Sequence, residues 1–270
     1  MDHKGETMRV IFASVEDPAA QNIAGRLLEL YDFEPMTNQP NVWVCEGVML
    51  TTIAGEGFRT SLPTLAADEV IFASRHASES GKPTLTTHVP GEPSKRELAI
   101  ASPPTLKSAL RELIAARDEL GLQYEVSLEA THHGPTGLKV PVTFVEIGSS
   151  LTEWRDKGAA VAAARAIMVA ATSPINGRQA IGLGGPHYAP RHTQVILKTD
   201  VCVGHVLPKY VTIDEELVKH AIARTRGGVE LLALDWKGLD SSQRQHLQQI
   251  ANKLGVRAVR ESELLHQAKV

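Results

Sequence analysis

The stretch VIFASVEDPAA, residues 10–20, decides the fold, because its first five residues recur as VIFAS at residues 70–74. An apolar run without polar alternation predicts a strand buried on both faces, as in a parallel sheet. Two such runs predict two strands with the same surroundings, and five residues are too few to require a duplication. Asp17 and Pro18 then fit the cap and first position of a helix. That helix is expected to reach Tyr31, with Ile23, Leu27 and Leu30 on one face.

The same alternation continues outward. Short strands are expected at 42–45 and 48–53, around a Glu46-Gly47 turn. Residues 75–104, rich in Gly, Pro, Ser and Thr, read as a long ordered loop or hairpin region, the kind of segment that often carries function. Leu106, Leu110, Leu113 and Ile114 space a helix over 105–119, ended at Gly121. Strands follow at 123–130 and 142–147, and Thr152 caps a helix over 153–171 whose small residues at 158–164 suit close packing on a sheet. Further strands are expected at 179–183, 199–206, 230–234 and 257–259, with helices after Asp214 and over 241–254. The pattern predicts an α/β fold with helices on both faces of a mixed, mainly parallel sheet, in three α/β/α layers, plus extra N-terminal α+β elements. Residues 8–270 are expected to form a single domain, preceded by a polar lead at 1–7.

Composition limits the function classes. The chain has 270 residues, 43% hydrophobic and 22% charged, which describes an ordinary globular protein. No run approaches the roughly 18 apolar residues of a membrane span, and the start lacks the basic-then-apolar pattern of a secretory signal. Cys45 and Cys202 do not make a disulfide scaffold, so a cytoplasmic location is expected. A formal net charge of -3 gives no global basic field, which argues against non-specific binding to DNA while leaving room for a local basic patch. Of eleven histidines, seven fall between residues 76 and 205 near Gly or Pro: His76, His88, His132, His133, His187, His192 and His205.

Four segments can carry chemistry, and most follow a predicted strand, where ligands collect in α/β sheets. SRHASESGKPTLTTH, from Ser74, offers a cation, imidazoles, hydroxyls and a carboxylate; it reads equally as a polar loop tied to its own backbone. EATHHGPT, from Glu129, sets two histidines beside an acid. In a continuing strand His132 and His133 would face opposite sides, so both reach one site only if the strand stops before Gly134-Pro135. GLGGPHYAP, from Gly182, brings glycine backbone close to His187 and Tyr188, which suits either an oxyanion or a tight structural turn; it is neither a dinucleotide fingerprint nor a P-loop. GHVLPKY, from Gly204, adds His205, although Gly204 and Pro208 equally shape a plain loop. Glu146 is a further carboxylate at a predicted strand end. HExxH, CxxC and GxSxG are absent, so no local motif supports a serine hydrolase. Zinc stays open because imidazoles and carboxylates are its usual ligands.

Taken in order with the closing DWKG (Asp235 to Gly238), these segments resemble the archaeal and plant type of D-aminoacyl-tRNA deacylase from Met8 onward. The resemblance implies hydrolysis of the ester between a D-amino acid and the 3′-terminal ribose of tRNA, with broad side-chain tolerance. It also implies zinc, a monomer, a phosphorylase/hydrolase-like α/β fold and the tRNA acceptor end as partner, with no membrane. On chemical grounds His132 and His133 are placed at the attacking water, with Glu129 orienting an imidazole or acting as base. The Gly184–Gly185 backbone and His187 would face the oxyanion, while His76 and His205 complete the imidazole set. His76, His133 and His187 are the metal candidates, and Glu146 is placed at the substrate ammonium. Arg75, Lys82, Lys95, Arg96, Arg191 and Lys209 are candidates for phosphate, each equally readable as a solvated charge. Tyr188 or Tyr210 would stack on the terminal adenine. A zinc-dependent peptidase or amidase would use the same residues, and a non-catalytic RNA-binding module is the rival from another class.

Overall fold

The two VIFAS segments are neighbours. In the computed structural model, which describes residues 8–55, 67–79 and 81–268, Val10 pairs with Val70, Ile11 with Ile71, Phe12 with Phe72 and Ala13 with Ala73 in a parallel ladder. The repeat therefore reflects two adjacent strands that meet the same neighbours on each face. The polar lead at 1–7 lies outside the described residues.

In chain order the strands are β1 (Arg9–Ser14), β2 (Glu34–Pro35), β3 (Val42–Cys45), β4 (Val48–Ile53) and β5 (Glu69–Ala77). Next come β6 (Thr84–His88), β7 (Gly91–Glu92), β8 (Glu97–Leu98), β9 (Glu125–Leu128) and β10 (Val142–Ser149). β11 (Gln179–Leu183), β12 (Cys202–Leu207), β13 (Leu231–Leu234) and β14 (Arg257–Arg260) follow. The helices are α1 (Pro18–Leu30), α2 (Pro103–Glu119), α3 (Leu151–Trp154) and α4 (Lys157–Thr172). The remaining ones are α5 (Pro190–Lys198), α6 (Glu215–Ala223), α7 (Ser241–Leu254) and α8 (Glu261–Gln267).

The α/β class agrees with the sequence reading, but the strands form two principal sheets rather than one. An eight-stranded mixed sheet runs β2-β3-β4-β1-β5-β10-β6-β9, and a parallel four-stranded sheet runs β12-β11-β13-β14. Alternation within VIFA explains the layers. Val10, Phe12, Val70, Phe72 and Phe144 enter a core shared with Val203, Val206 and Leu231 of the smaller sheet. Ile11, Ile71 and Val145 turn the other way, onto the alanine-rich faces of α1 and α4. Ile181, Leu183 and Leu234 cover the outer face of the smaller sheet with Leu217 and Leu247 of α6 and α7.

At the centre of the shared core Phe72 stacks between Phe12 and Phe144, at centroid distances of 5.4 and 4.6 Å. Phe72→Ala would remove both contacts and leave a cavity where the two sheets meet, so it is expected to cost about 3–5 kcal/mol of stability in denaturant unfolding. A loss below about 1 kcal/mol would show that this core can collapse around the gap.

Local signals worked where they were local. Asp17 caps α1 by accepting from the amides of Ala19 and Ala20, and Asp214 caps α6 through Leu217. The helix expected over 153–171 is instead two, because a capping box at Ser150 starts α3 and Asp156 starts α4. The strand expected from 199 begins at Cys202, after α5 ends at Lys198. The 75–104 stretch holds β6, fully buried and antiparallel to β10, where the Thr87 hydroxyl donates to the Phe144 carbonyl at 2.6 Å. Its threonines resemble loop chemistry in sequence, yet all three are buried in the sheet.

Candidate active site

β1, β4, β5 and β10 are parallel, so their carboxyl ends share one edge. β5 delivers His76 to that edge and β10 delivers Glu146. β6 runs against β10 and brings His88 opposite Phe144, below the edge. β9 stops at Leu128, and Glu129 follows it beside β6, with its amide donating to the Thr87 carbonyl at 3.1 Å.

The stop decides the question of the paired histidines. Beyond Leu128 the chain leaves strand geometry, and His133 has a φ of 42°, so alternation no longer separates the two rings. Their centroids lie 4.4 Å apart, and both meet the His88 ring, at 4.2 Å for His132 and 4.9 Å for His133. His187, from the loop after β11, comes within 4.6 Å of His132.

Glu129 is the hub. Its carboxylate lies 3.3 Å from His76 Nδ1, 3.6 Å from His132 Nε2, 3.6 Å from His187 Nε2 and 3.7 Å from His88 Nδ1. Burial acts to raise its pKa, but the imidazoles of His187, His76 and His132 outweigh burial and hold it below the usual carboxylate range. Glu146, 3.6 Å from His76 and 3.9 Å from His88, is pushed up by burial and by the nearby Glu129 charge, against the pull of His76. Two buried carboxylates at one site are thereby driven apart. Burial lowers His132 to about 4, helped by His133, and lowers His88 as well. Burial also acts to lower His76, yet its bond to Glu146 and the Glu129 charge leave it raised.

Tautomers follow from the acceptors. His132 Nδ1 lies 2.8 Å from the Ala130 carbonyl and His133 Nδ1 lies 2.6 Å from the Gly134 carbonyl. A carbonyl only accepts, so each neutral ring carries its proton on Nδ1 and presents the Nε2 lone pair.

This donor set suits a metal. Both oxygens of Glu129 and both ring nitrogens of His88 are buried without a hydrogen-bond partner, which is costly unless something else satisfies them. Donor atoms lie within 4.8 Å of one another in three overlapping groups: His76, Glu129, His132 and His187; His88, His132 and His133; His88, Glu129 and Glu146. A cavity of about 520 Å³ opens beside them, lined by Asp17, Arg75, His76, His132, His133 and Glu146.

The remaining sequence candidates fall in different places. Tyr188 bonds His76 Nε2 through its hydroxyl at 2.8 Å, so it belongs to the site. His205 does not. It is fully buried behind the site, with Nδ1 3.3 Å from the Thr131 hydroxyl and Nε2 3.4 Å from the Arg224 carbonyl, and burial lowers it to about 4. Gly184 is corrected too: its amide donates to the Leu207 carbonyl at 2.8 Å and is not available to an oxyanion. Gly184 and Gly185, with φ of 89° and 86°, shape the turn, and a Cβ on Gly185 would stand 2.8 Å from Asp235 Oδ2.

The cations also separate. Arg75 lines the cavity with its guanidinium over the Trp154 ring. Lys82 pairs with Glu125 at 3.7 Å, Lys95 with Glu92, and Arg96 with Asp214. Arg191 and Lys209 are exposed. His88 is the residue to which sequence reasoning assigned no role; its signal was a histidine closing the Thr-rich run TLTTH, which is informative only once that run is known to be a buried strand.

The chain is similar to known proteins in sequence and in fold. Residues 64–259 match the family model described as D-aminoacyl-tRNA deacylase. The chain is 34% identical to the D-aminoacyl-tRNA deacylase of Pyrococcus furiosus, covering 94% of this chain and 100% of that one. It is 37% identical to that of Aeropyrum pernix, covering 93% and 99%. A crystal structure described as a conserved protein of unknown function superposes with a TM-score of 0.86 at 28% identity, covering 96% of this chain and 97% of that one.

Proposed function

The chain belongs to the D-aminoacyl-tRNA deacylase family, and on that premise we propose that it hydrolyses the ester joining a D-amino acid to the 3′-terminal ribose of tRNA, using zinc. The observation that carries the reading is the set of four imidazoles around the orphaned Glu129 carboxylate, with His133 beside two of them, on the wall of a cavity large enough for an aminoacyl group.

Glu129, His132 and His187 offer one donor group for zinc, and His88 with His133 offers a second that shares His132. A zinc ion bound there supplies water acidic enough to attack at neutral pH. The protein's own part is to hold the Nε2 lone pairs of His132 and His133 toward the reacting centre and to balance their charge with Glu129. His76, between Glu129 and Glu146 and bonded to Tyr188, would pass protons at the cavity wall. A monomer is proposed, with the tRNA acceptor end as partner. The location proposed is the cytoplasm, where such a substrate is formed; among the described residues no helix is long and apolar enough to cross a membrane.

The test is release of D-tyrosine from D-Tyr-tRNA beside L-Tyr-tRNA. The D-ester is expected to be cleaved with the L-ester largely spared. Cleavage of peptides with the D-ester intact would favour the amidase reading, and tRNA binding without turnover would favour a binding module.

A further inference from the structure

The substrate of this reading is electrically lopsided: its amino acid carries an ammonium, while the adenosine bearing the ester leads to phosphodiesters. The surroundings of His187 are lopsided in the same sense. The cavity beside the cluster is lined by the carboxylates of Glu16, Asp17 and Glu146, with Arg75 the one Lys or Arg among the described residues of its wall. On the other side of His187 stands Tyr210, its hydroxyl 3.4 Å from His187 Nδ1 and its side chain in the open, at 61% exposure. Tyr210 walls two depressions. One, of about 320 Å³, lies between residues 209–213 and α7; its wall contains Lys209 and no carboxylate among the described residues. The other, of about 560 Å³, contains Lys95 and Arg96, with Asp214 engaged by Arg96.

Resting on the deacylase reading, we propose that Tyr210 is the platform for the terminal adenine, which enters the cavity between residues 209–213 and α7, while the amino acid points the opposite way, toward Glu16, Asp17 and Glu146. Ester and adenine hang on one ribose, so the base subsite must lie within one nucleoside of the catalytic cluster; Tyr210, touching His187, does. The cavity combines Leu239 and Leu247 for the faces of a base with Ser242, Gln243 and His246 for its edge, the mixture a purine requires. Stacking on an exposed aromatic ring tolerates any base and pairs naturally with a basic groove for the backbone. Lys209 supplies the cation at that cavity, and Lys95 and Arg96, paired with Glu92 and Asp214, flank it on the other side of Tyr210. Tyr188 is the poorer platform, since its hydroxyl is bound to His76 and its ring is half-buried against His76 and His187.

The experiment uses the metal-loaded protein and two readouts, KM and kcat on D-Tyr-tRNA and calorimetric binding of adenosine 5′-monophosphate. Tyr210→Ala is expected to raise KM roughly tenfold or more with kcat nearly unchanged, and to abolish nucleotide binding, while Tyr210→Phe stays near wild type. Ser242→Trp, at an exposed position of the cavity rim, is expected to fill the subsite with the same effects. Folded Tyr210→Ala and Ser242→Trp proteins with wild-type KM, or with undiminished nucleotide binding, overturn the assignment. A wild-type protein that binds the nucleotide through Tyr210 yet leaves D-Tyr-tRNA intact overturns the deacylase reading instead.

Discussion

Glu129→Gln is expected to lower turnover on D-aminoacyl-tRNA by about 10³-fold and, on the zinc reading, to lose the metal. The expectation rests on what the carboxylate does. Four imidazoles approach it within 3.7 Å, and among the described residues no hydrogen bond satisfies either of its oxygens. Glutamine keeps the volume but removes the one of the two clustered carboxylates, Glu129 and Glu146, that is held below its ordinary pKa. The rings of His76, His132 and His187 then face an amide instead of a charge. Because the replacement is neutral and nearly isosteric at a buried site, the protein is expected to fold. Metal analysis beside single-turnover kinetics checks this; a variant with full zinc content and turnover within tenfold of wild type would remove Glu129 from the centre of the mechanism.

Dialysis against a strong chelator is expected to leave less than about 1% of the activity, and added zinc to restore it. The buried ring nitrogens of His88 have no hydrogen-bond partner among the described residues, and one of them carries a lone pair in the neutral ring. Left alone they are a desolvation cost of a few kcal/mol, so an ion that occupies them stabilises the fold as well as the reaction. The melting temperature is therefore expected to fall on chelation and recover on reloading. Unchanged activity in protein shown to be metal-free would leave the histidines to work as bases alone.

How much of this was legible can be argued from single residues. Burial of VIFAS and the Asp17 cap follow from local apolar pattern and capping chemistry, and both stand. Glu129, His132, His133 and His187 were readable because an acid and imidazoles at the ends of predicted strands converge in any α/β sheet. His205 carried the same signal and lies elsewhere. It sits on β12 of the second sheet with its ring turned to Thr131 and Arg224, and no local pattern says that the strands divide between two sheets. His88 failed in the opposite direction, since a threonine-rich run reads as loop until its antiparallel pairing with β10 is known.

Alone, the sequence determined that the VIFAS segments are buried, where α1, α6 and α7 begin, and that imidazoles and carboxylates are the candidate groups. These are properties of short windows, set by periodicity and capping. The tertiary structure decided strand order, and with it the placement of β6 between β10 and β9, which brings His88 beside Glu129 and Glu146. It also decided side-chain direction at the strand end, where the positive φ of His133 turns two residues that would face apart into one wall of a site. Both depend on contacts between residues far apart in the chain, whose energies no local window contains.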